Sequence, residues 1–232
     1  MTNMKKFTRS ALAAAVLTVG STGGVAFTST AAAELSVNIG AVSNYYFRGI
    51  SETDDAPAIQ GGVDFEHASG FYVGTWASNV DFGADESASY ELDLYLGFAD
   101  EFANGLGYDV GYIQYMYPDS DADLDFGEIY GELSYDMVYG GIAYTAYVKD
   151  SDASSGDMYY YVGLDVPFMD VYSAGFLVGH VDPDDSDDSS WTHYTATLAR
   201  DAGEFGEFTF NLEYEDEFEE DVKAWVGWST SF

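Results

Sequence analysis

The last eleven residues, Val222-Lys-Ala-Trp-Val-Gly-Trp-Ser-Thr-Ser-Phe232, alternate in character up to the final aromatic. Val222, Ala224, Val226, Trp228, Thr230 and Phe232 occupy every second position, the spacing that puts side chains on one face of a β-strand. With no segment after Phe232 to cover that face, the expected solution is lipid on one side of the strand and a polar lumen on the other. The ending therefore predicts a membrane-spanning β-barrel with no transmembrane helix.

The N-terminus predicts export. Lys5, Lys6 and Arg9 precede a short apolar run, Ala11 to Val19, and Ala31-Ala32-Ala33 offers a small-residue cleavage site. This is the pattern of a secretory signal peptide over residues 1–33, with an apolar run too short to span a bilayer as a helix. The remaining chain, 34–232, is expected to form one domain.

Charge narrows the partners. The whole chain carries 7 basic and 41 acidic residues, a formal net charge of −34. Three bases leave with the leader and no acid does, so residues 34–232 carry 4 − 41 = −37. Such a chain is not expected to bind nucleic acid, which needs a basic patch. Acidic excess alone would favour disorder, but 20 Tyr, 16 Phe and 4 Trp must be buried or embedded. The absence of cysteine removes disulfides, thiolate metal sites and thiol nucleophiles.

Segments of about ten residues alternate at period two throughout 34–232. The clearest sets Tyr90, Leu92, Leu94, Leu96 and Phe98 against Glu91, Asp93, Tyr95 and Gly97. The first is read as continuing its outer face through Tyr45 and Phe47, and the segment Phe71 to Val80 alternates too poorly to orient. Twelve such segments are expected. Their connections sort into two alternating classes. Short or weakly charged ones include 67–70, 136–139 and 167–170; polar, acidic ones are 51–57, 81–87, 118–125, 149–157, 182–190 and 215–221. Short turns at one end and longer loops at the other predict an all-β, up-and-down antiparallel barrel with both termini at the turn end.

Val42-Ser-Asn-Tyr-Tyr-Phe-Arg-Gly-Ile-Ser51, Pro57-Ala-Ile-Gln-Gly-Gly-Val-Asp-Phe65, Gly70-Phe-Tyr-Val-Gly-Thr-Trp-Ala-Ser-Asn-Val-Asp81 and Tyr90-Glu-Leu-Asp-Leu-Tyr-Leu-Gly97 together resemble the start of the TorF-type porins of proteobacteria, a conserved hypothetical family. The resemblance covers residues 42–98 closely; beyond them only strand spacing and the terminal aromatic agree. It implies a bacterial outer-membrane location and a pore, with no defined substrate and no catalytic residues. Phe232, with Trp228, resembles the C-terminal signal read by the barrel-insertion machinery.

If the apolar faces point outward, the opposite faces line a lumen carrying Asp64, Glu66, Glu91, Asp93, Asp109, Glu128, Glu132, Asp165, Glu213 and Glu215. Only Arg48 and Lys223 oppose them. Carboxylate rings select cations, so the expected function is passive diffusion of small hydrophilic solutes, cations preferred, with no cofactor. Gly97, Gly111, Gly163 and Gly179 share the lumen face and are read as making room for a channel. The alternatives are a substrate-specific channel, or a closed structural or adhesive barrel. Expected partners are outer-membrane lipid and lipopolysaccharide, the insertion machinery, and small solutes and cations.

Other chemistries lack a pattern. Asp119, Asp121, Asp123 and Asp125 alternate but lack the Gly and Glu of an EF-hand loop, so no metal site is assigned. His67, His180 and His193 show no spacing to a nucleophile, and Glu128 with Glu132 is explained by lumen facing alone. No enzymatic activity is expected.

Overall fold

The computed structural model describes residues 33–83, 88–150, 155–185, 189–218 and 221–232. The expected leader, apart from Ala33, lies outside the described residues, as do parts of four of the acidic loops.

Fourteen strands follow in order: β1 (Glu34–Val42), β2 (Tyr46–Phe47), β3 (Ile50–Ser51), β4 (Ala58–Glu66), β5 (Phe71–Asn79), β6 (Tyr90–Glu101), β7 (Leu106–Met116), β8 (Phe126–Tyr135), β9 (Val138–Val148), β10 (Met158–Phe168), β11 (Tyr172–Asp182), β12 (Trp191–Asp201), β13 (Glu207–Glu215) and β14 (Lys223–Ser231). Twelve of them, β1 and β4 to β14, form a closed barrel in which every neighbour is antiparallel, and β1 pairs with β14 to close it. The seam runs to the C-terminus: the Val37 and Phe232 backbones exchange hydrogen bonds at 3.1 and 2.9 Å. A closed barrel has no unpaired edge, which satisfies every strand without a covering layer.

The alternation sets the two faces. In β6, Leu94 and Leu96 are half exposed, at 50% and 49%, while Glu91 and Asp93, which precede them on the opposite face, are buried at 2% and 0%. The same outward band recurs in Leu35, Ile59, Val110, Ile129, Val162, Phe176, Phe210 and Val226. This is a fold turned inside out relative to a water-soluble domain: the apolar side chains are outside and the carboxylates inside. Among the described residues no helix is long and apolar enough to cross a membrane, which says nothing against crossing by strands.

Connections sort by end as expected. Those after β4, β6, β8, β10 and β12 are two to five residues long, and those after β1, β5, β7, β9, β11 and β13 are longer. At the tight β8–β9 turn Asp136 takes φ 54°, a left-handed conformation that Asp tolerates better than most residues. At the loop end, the backbone N–H and hydroxyl of Ser89 hydrogen-bond to the Asp119 carboxylate, holding it below the usual carboxylate range. Lys149 meets Asp123 at 3.1 Å and Asp125 at 3.4 Å, which raises the lysine above its ordinary value.

Two details differ from the sequence reading. The first barrel strand ends at Val42, so Tyr45 and Phe47 do not extend its outer face; Tyr45 is buried and both rings pack inside the barrel. The segment Phe71 to Val80, which alternation left unoriented, turns Tyr72, Trp76 and Ser78 inward.

Candidate functional site

The lumen has two levels, each built from side chains that strand register brings together. Towards the loop end, the middle of the segment between β1 and β4, residues 44–53, folds back into the barrel, while 54–57 remain exposed at its mouth. The core of the folded-back part is a hairpin, β2 paired with β3 through Tyr46–Ser51 and Phe47–Ile50. Arg48 and Gly49 make its two-residue turn with φ of 50° and 91°, the positive-φ pair that suits the twist of a tight hairpin. Gly49 is required twice over: its φ favours glycine, and a Cβ there would meet the His193 Cβ at 2.6 Å. The neck is tied by Tyr45 N–H to Thr53 Oγ1 at 3.1 Å and Glu52 N–H to Tyr45 O at 2.7 Å.

The hairpin is fastened by its tip. The Arg48 guanidinium donates to Glu128 Oε1 at 2.9 Å and Oε2 at 2.7 Å, a bidentate ion pair with both side chains nearly buried. Its Cζ lies 4.1 Å from the Tyr159 ring centroid and 4.6 Å from that of Phe47, close enough for cation–π attraction. Trp191 Nε1 donates to the Arg48 carbonyl at 2.9 Å. Tyr46 stacks with Trp225, and Phe47 meets Tyr115 edge-on. Five barrel strands, β7, β8, β10, β12 and β14, therefore hold one hairpin.

Below the tip, Tyr159 Oη is 2.9 Å from His193 Nε2, and His193 Nδ1 is 3.2 Å from Glu213 Oε1. Thr195 Oγ1 also donates to Glu213, at 3.0 Å. With the proton on Nδ1, His193 donates to Glu213 and accepts from Tyr159, so each member has a partner. This linkage buttresses the ring on which Arg48 rests. Sequence spacing missed it, because Tyr159, His193 and Glu213 belong to three strands.

Towards the turn end, the carboxylates are engaged by tyrosines that lie over glycines. Register aligns Asp64, Gly74 and Tyr95 on β4, β5 and β6, and the Tyr95 hydroxyl crosses the glycine to bond Asp64. The same row recurs as Glu132, Gly141 and Tyr161 on β8, β9 and β10, with Tyr161 Oη donating to Glu132 Oε2 at 2.8 Å. Tyr72 and Tyr130 approach from opposite ends of a row containing Gly97 and Gly111. Their hydroxyls meet, and Tyr72 donates to Asp109 Oδ1 at 2.6 Å. A Cβ at Gly74 would sit 2.5 Å from the Tyr95 ring. These glycines therefore accommodate tyrosine rings laid along the wall, rather than simply widening a channel.

The residues singled out in the sequence fall as follows. Glu91, Asp93, Glu128, Glu213 and Glu215 are buried towards the loop end, facing the hairpin level; Asp64, Asp109 and Glu132 are buried in the tyrosine level. Glu66 and Asp165 are half-buried near the turn end. Arg48 reaches the lumen on the hairpin and not on a barrel strand. Lys223 opens β14, opposite Glu213 in register. Glu207, buried near the turn end, is a further inward acid that the sequence reading did not single out. Trp228 Nε1 donates to the Phe205 carbonyl at 2.8 Å, and Phe232 is exposed at the seam. Among the described residues no group of three or more His, Asp or Glu side chains is arranged to hold a metal ion.

The barrel resembles solved porin structures. Against the KdgM porin the TM-score is 0.58 at 9% identity, covering 85% of this chain and 98% of that one. The KdgM porin in complex with disordered oligogalacturonate gives 0.58 at 10% identity, covering 87% and 99%. The NanC porin gives 0.53 at 10% identity, covering 85% and 98%. At such identities the likeness is one of fold: a closed, twelve-stranded antiparallel barrel. Among curated proteins none matches the sequence. The model of a bacterial protein family of unknown function, Gcw_chp, matches residues 26–229, and the chain belongs to that family.

Proposed function

We propose that this protein is a bacterial outer-membrane channel that passes small hydrophilic solutes by passive diffusion and favours cations. The observation that carries the reading is the inversion of the barrel: an apolar exterior around an interior walled by carboxylates. An apolar belt of strand residues suits a bilayer, and unbalanced interior carboxylates attract cations and repel anions. In the same reading residues 1–33 are the export leader, the turn end faces the periplasm, and Trp228 with Phe232 forms the signal for the insertion machinery. The TorF-type resemblance of residues 42–98 fits this assignment.

The solute of the KdgM complex does not transfer. Oligogalacturonate is a chain of sugar acids, and an acidic lumen opposes it. The hairpin adds a condition: it occupies the loop-end half of the lumen, so the fastened state conducts weakly and release of Arg48 widens the path. That same hairpin favours a second reading, a closed structural barrel. Planar-bilayer recording separates the two. A channel gives discrete steps with a cation-selective reversal potential; a folded barrel silent both with and without the Arg48 fastening is structural.

A further inference from the structure

Glu91 and Asp93 lie two residues apart on the inward face of β6 and are buried at 2% and 0% exposure. Glu91 Oε2 and both Asp93 carboxylate oxygens have no hydrogen-bond partner. Burying ionised carboxylates is costly unless they are paired, and the described bases are committed elsewhere. Arg48 gives both terminal nitrogens to Glu128, Lys149 lies outside against Asp123 and Asp125, Arg200 is exposed at the turn end of β12, and Lys223 stands opposite Glu213 in register. Glu52, just past the hairpin, is a further carboxyl group near Glu91 and brings no base to the pair.

A separate, uncharged group points the same way. Gln60, Ser78 and Glu91 form one row across β4, β5 and β6. Gln60 Nε2 donates to Ser78 Oγ at 3.4 Å, while its Oε1 is buried and has no partner. The unpartnered atoms of this row and of Asp93 in the next are all oxygen acceptors, while the unpartnered donors, Arg48 Nε and Trp225 Nε1, belong to the hairpin tip and to β14. In the next row Asp93 sits between Trp76 and Tyr115, and the Tyr45 ring stands edge-on to Trp76 at 5.5 Å. Carboxylate and carbonyl oxygens are the ligands of hard cations.

We propose that Glu91 and Asp93, with the Gln60 carbonyl, bind one small monovalent cation of the potassium or sodium class between β6 and the hairpin. A divalent chelate is disfavoured, because no group of three acidic or imidazole ligands converges among the described residues. Two carboxylates and a carbonyl leave room in the coordination shell for water, which suits an ion that exchanges. The proposal rests on the cation-favouring reading above and gives it a defined station.

Crystals of the whole barrel grown in sodium chloride and soaked in rubidium chloride test the site without any current being measured. An anomalous peak between Glu91 and Asp93 in the wild type, lost in Asp93→Asn, is the expected result. Because Asn retains the size of Asp, the variant barrel should fold, and its diffraction shows whether it has. A wild-type map with no peak there, at a pH where both acids are ionised, overturns the site and means that water or a shared proton occupies it. Bilayer recordings run in parallel keep the two claims apart. Cation-selective current without a peak rejects the site alone, whereas a peak in a barrel that never conducts keeps the site and rejects the channel.

Discussion

Arg48 reaches across 80 positions of sequence to grip both carboxylate oxygens of Glu128, at 2.9 and 2.7 Å, from a backbone held at φ 50°. A non-glycine residue at positive φ costs of order 1–3 kcal/mol and persists only where its surroundings impose it. Here they do: the ion pair, two aromatic faces and an indole N–H all fix the same tip. The relationship couples the segment between β1 and β4 to β8, four strands away from β4 around the barrel, and fastens the hairpin inside.

Removing one partner of a buried ion pair typically costs about 3–5 kcal/mol, because the other charge is left uncompensated. Glu128→Gln should therefore weaken docking of the hairpin while the barrel, held by its strand ladders, remains folded. The Arg48–Gly49 bond supplies the assay: trypsin added to reconstituted protein should cut there in the variant and spare it in the wild type. Equal resistance in both would show that aromatic packing alone holds the hairpin.

Lipid facing is tested on β6. Leu94→Arg places a charge on the exposed apolar band and should cost about 2–4 kcal/mol in a bilayer, if Leu94 lies near its midplane. Asp93→Asn, one residue away on the inner face, should fold with unchanged or greater stability. Urea unfolding in lipid vesicles measures both; equal losses would contradict the assignment of faces.

Much of this architecture was legible in the sequence, since period-two alternation sets inside and outside and loop chemistry separates the two ends. The segment 43–57 was not. Tyr45 and Phe47 continue the parity of β1 beyond its end at Val42, so the pattern gave no sign that the chain turns inward. Arg48-Gly49 is not a strong turn signal either, because Arg rarely adopts positive φ. The tyrosine rows were hidden for another reason: a glycine and the tyrosine covering it lie on neighbouring strands, and register is a property of the pairing rather than of either segment. The Tyr159–His193–Glu213 linkage was missed on the same ground.

Those rows make a packing prediction. Gly74→Ala would push a Cβ to 2.5 Å from the Tyr95 ring, whereas at Gly131 the nearest atom is 3.8 Å away. Overpacking of this kind costs about 1–3 kcal/mol. Gly74→Ala should lower the urea midpoint, and Gly131→Ala should leave it within error or raise it. A loss at Gly131 equal to that at Gly74 would remove the packing explanation.

Topology is tested by labelling. Ala122→Cys lies in an acidic loop at one end, and Ser69→Cys lies in a tight turn at the other; both positions are exposed. An impermeant thiol reagent on intact cells should label the first and spare the second until the envelope is opened. The reverse pattern would invert the barrel in the membrane.

The most direct measurement is the reversal potential of the reconstituted barrel under a potassium chloride gradient, recorded for the wild type and for Arg48→Ala. The account predicts cation selectivity in both, with larger conductance in the variant. Selectivity should weaken as salt shortens the Debye length from about 10 Å at 0.1 M to about 3 Å at 1 M. Anion selectivity, or a folded barrel that stays silent even when Arg48 no longer holds the hairpin, would contradict it.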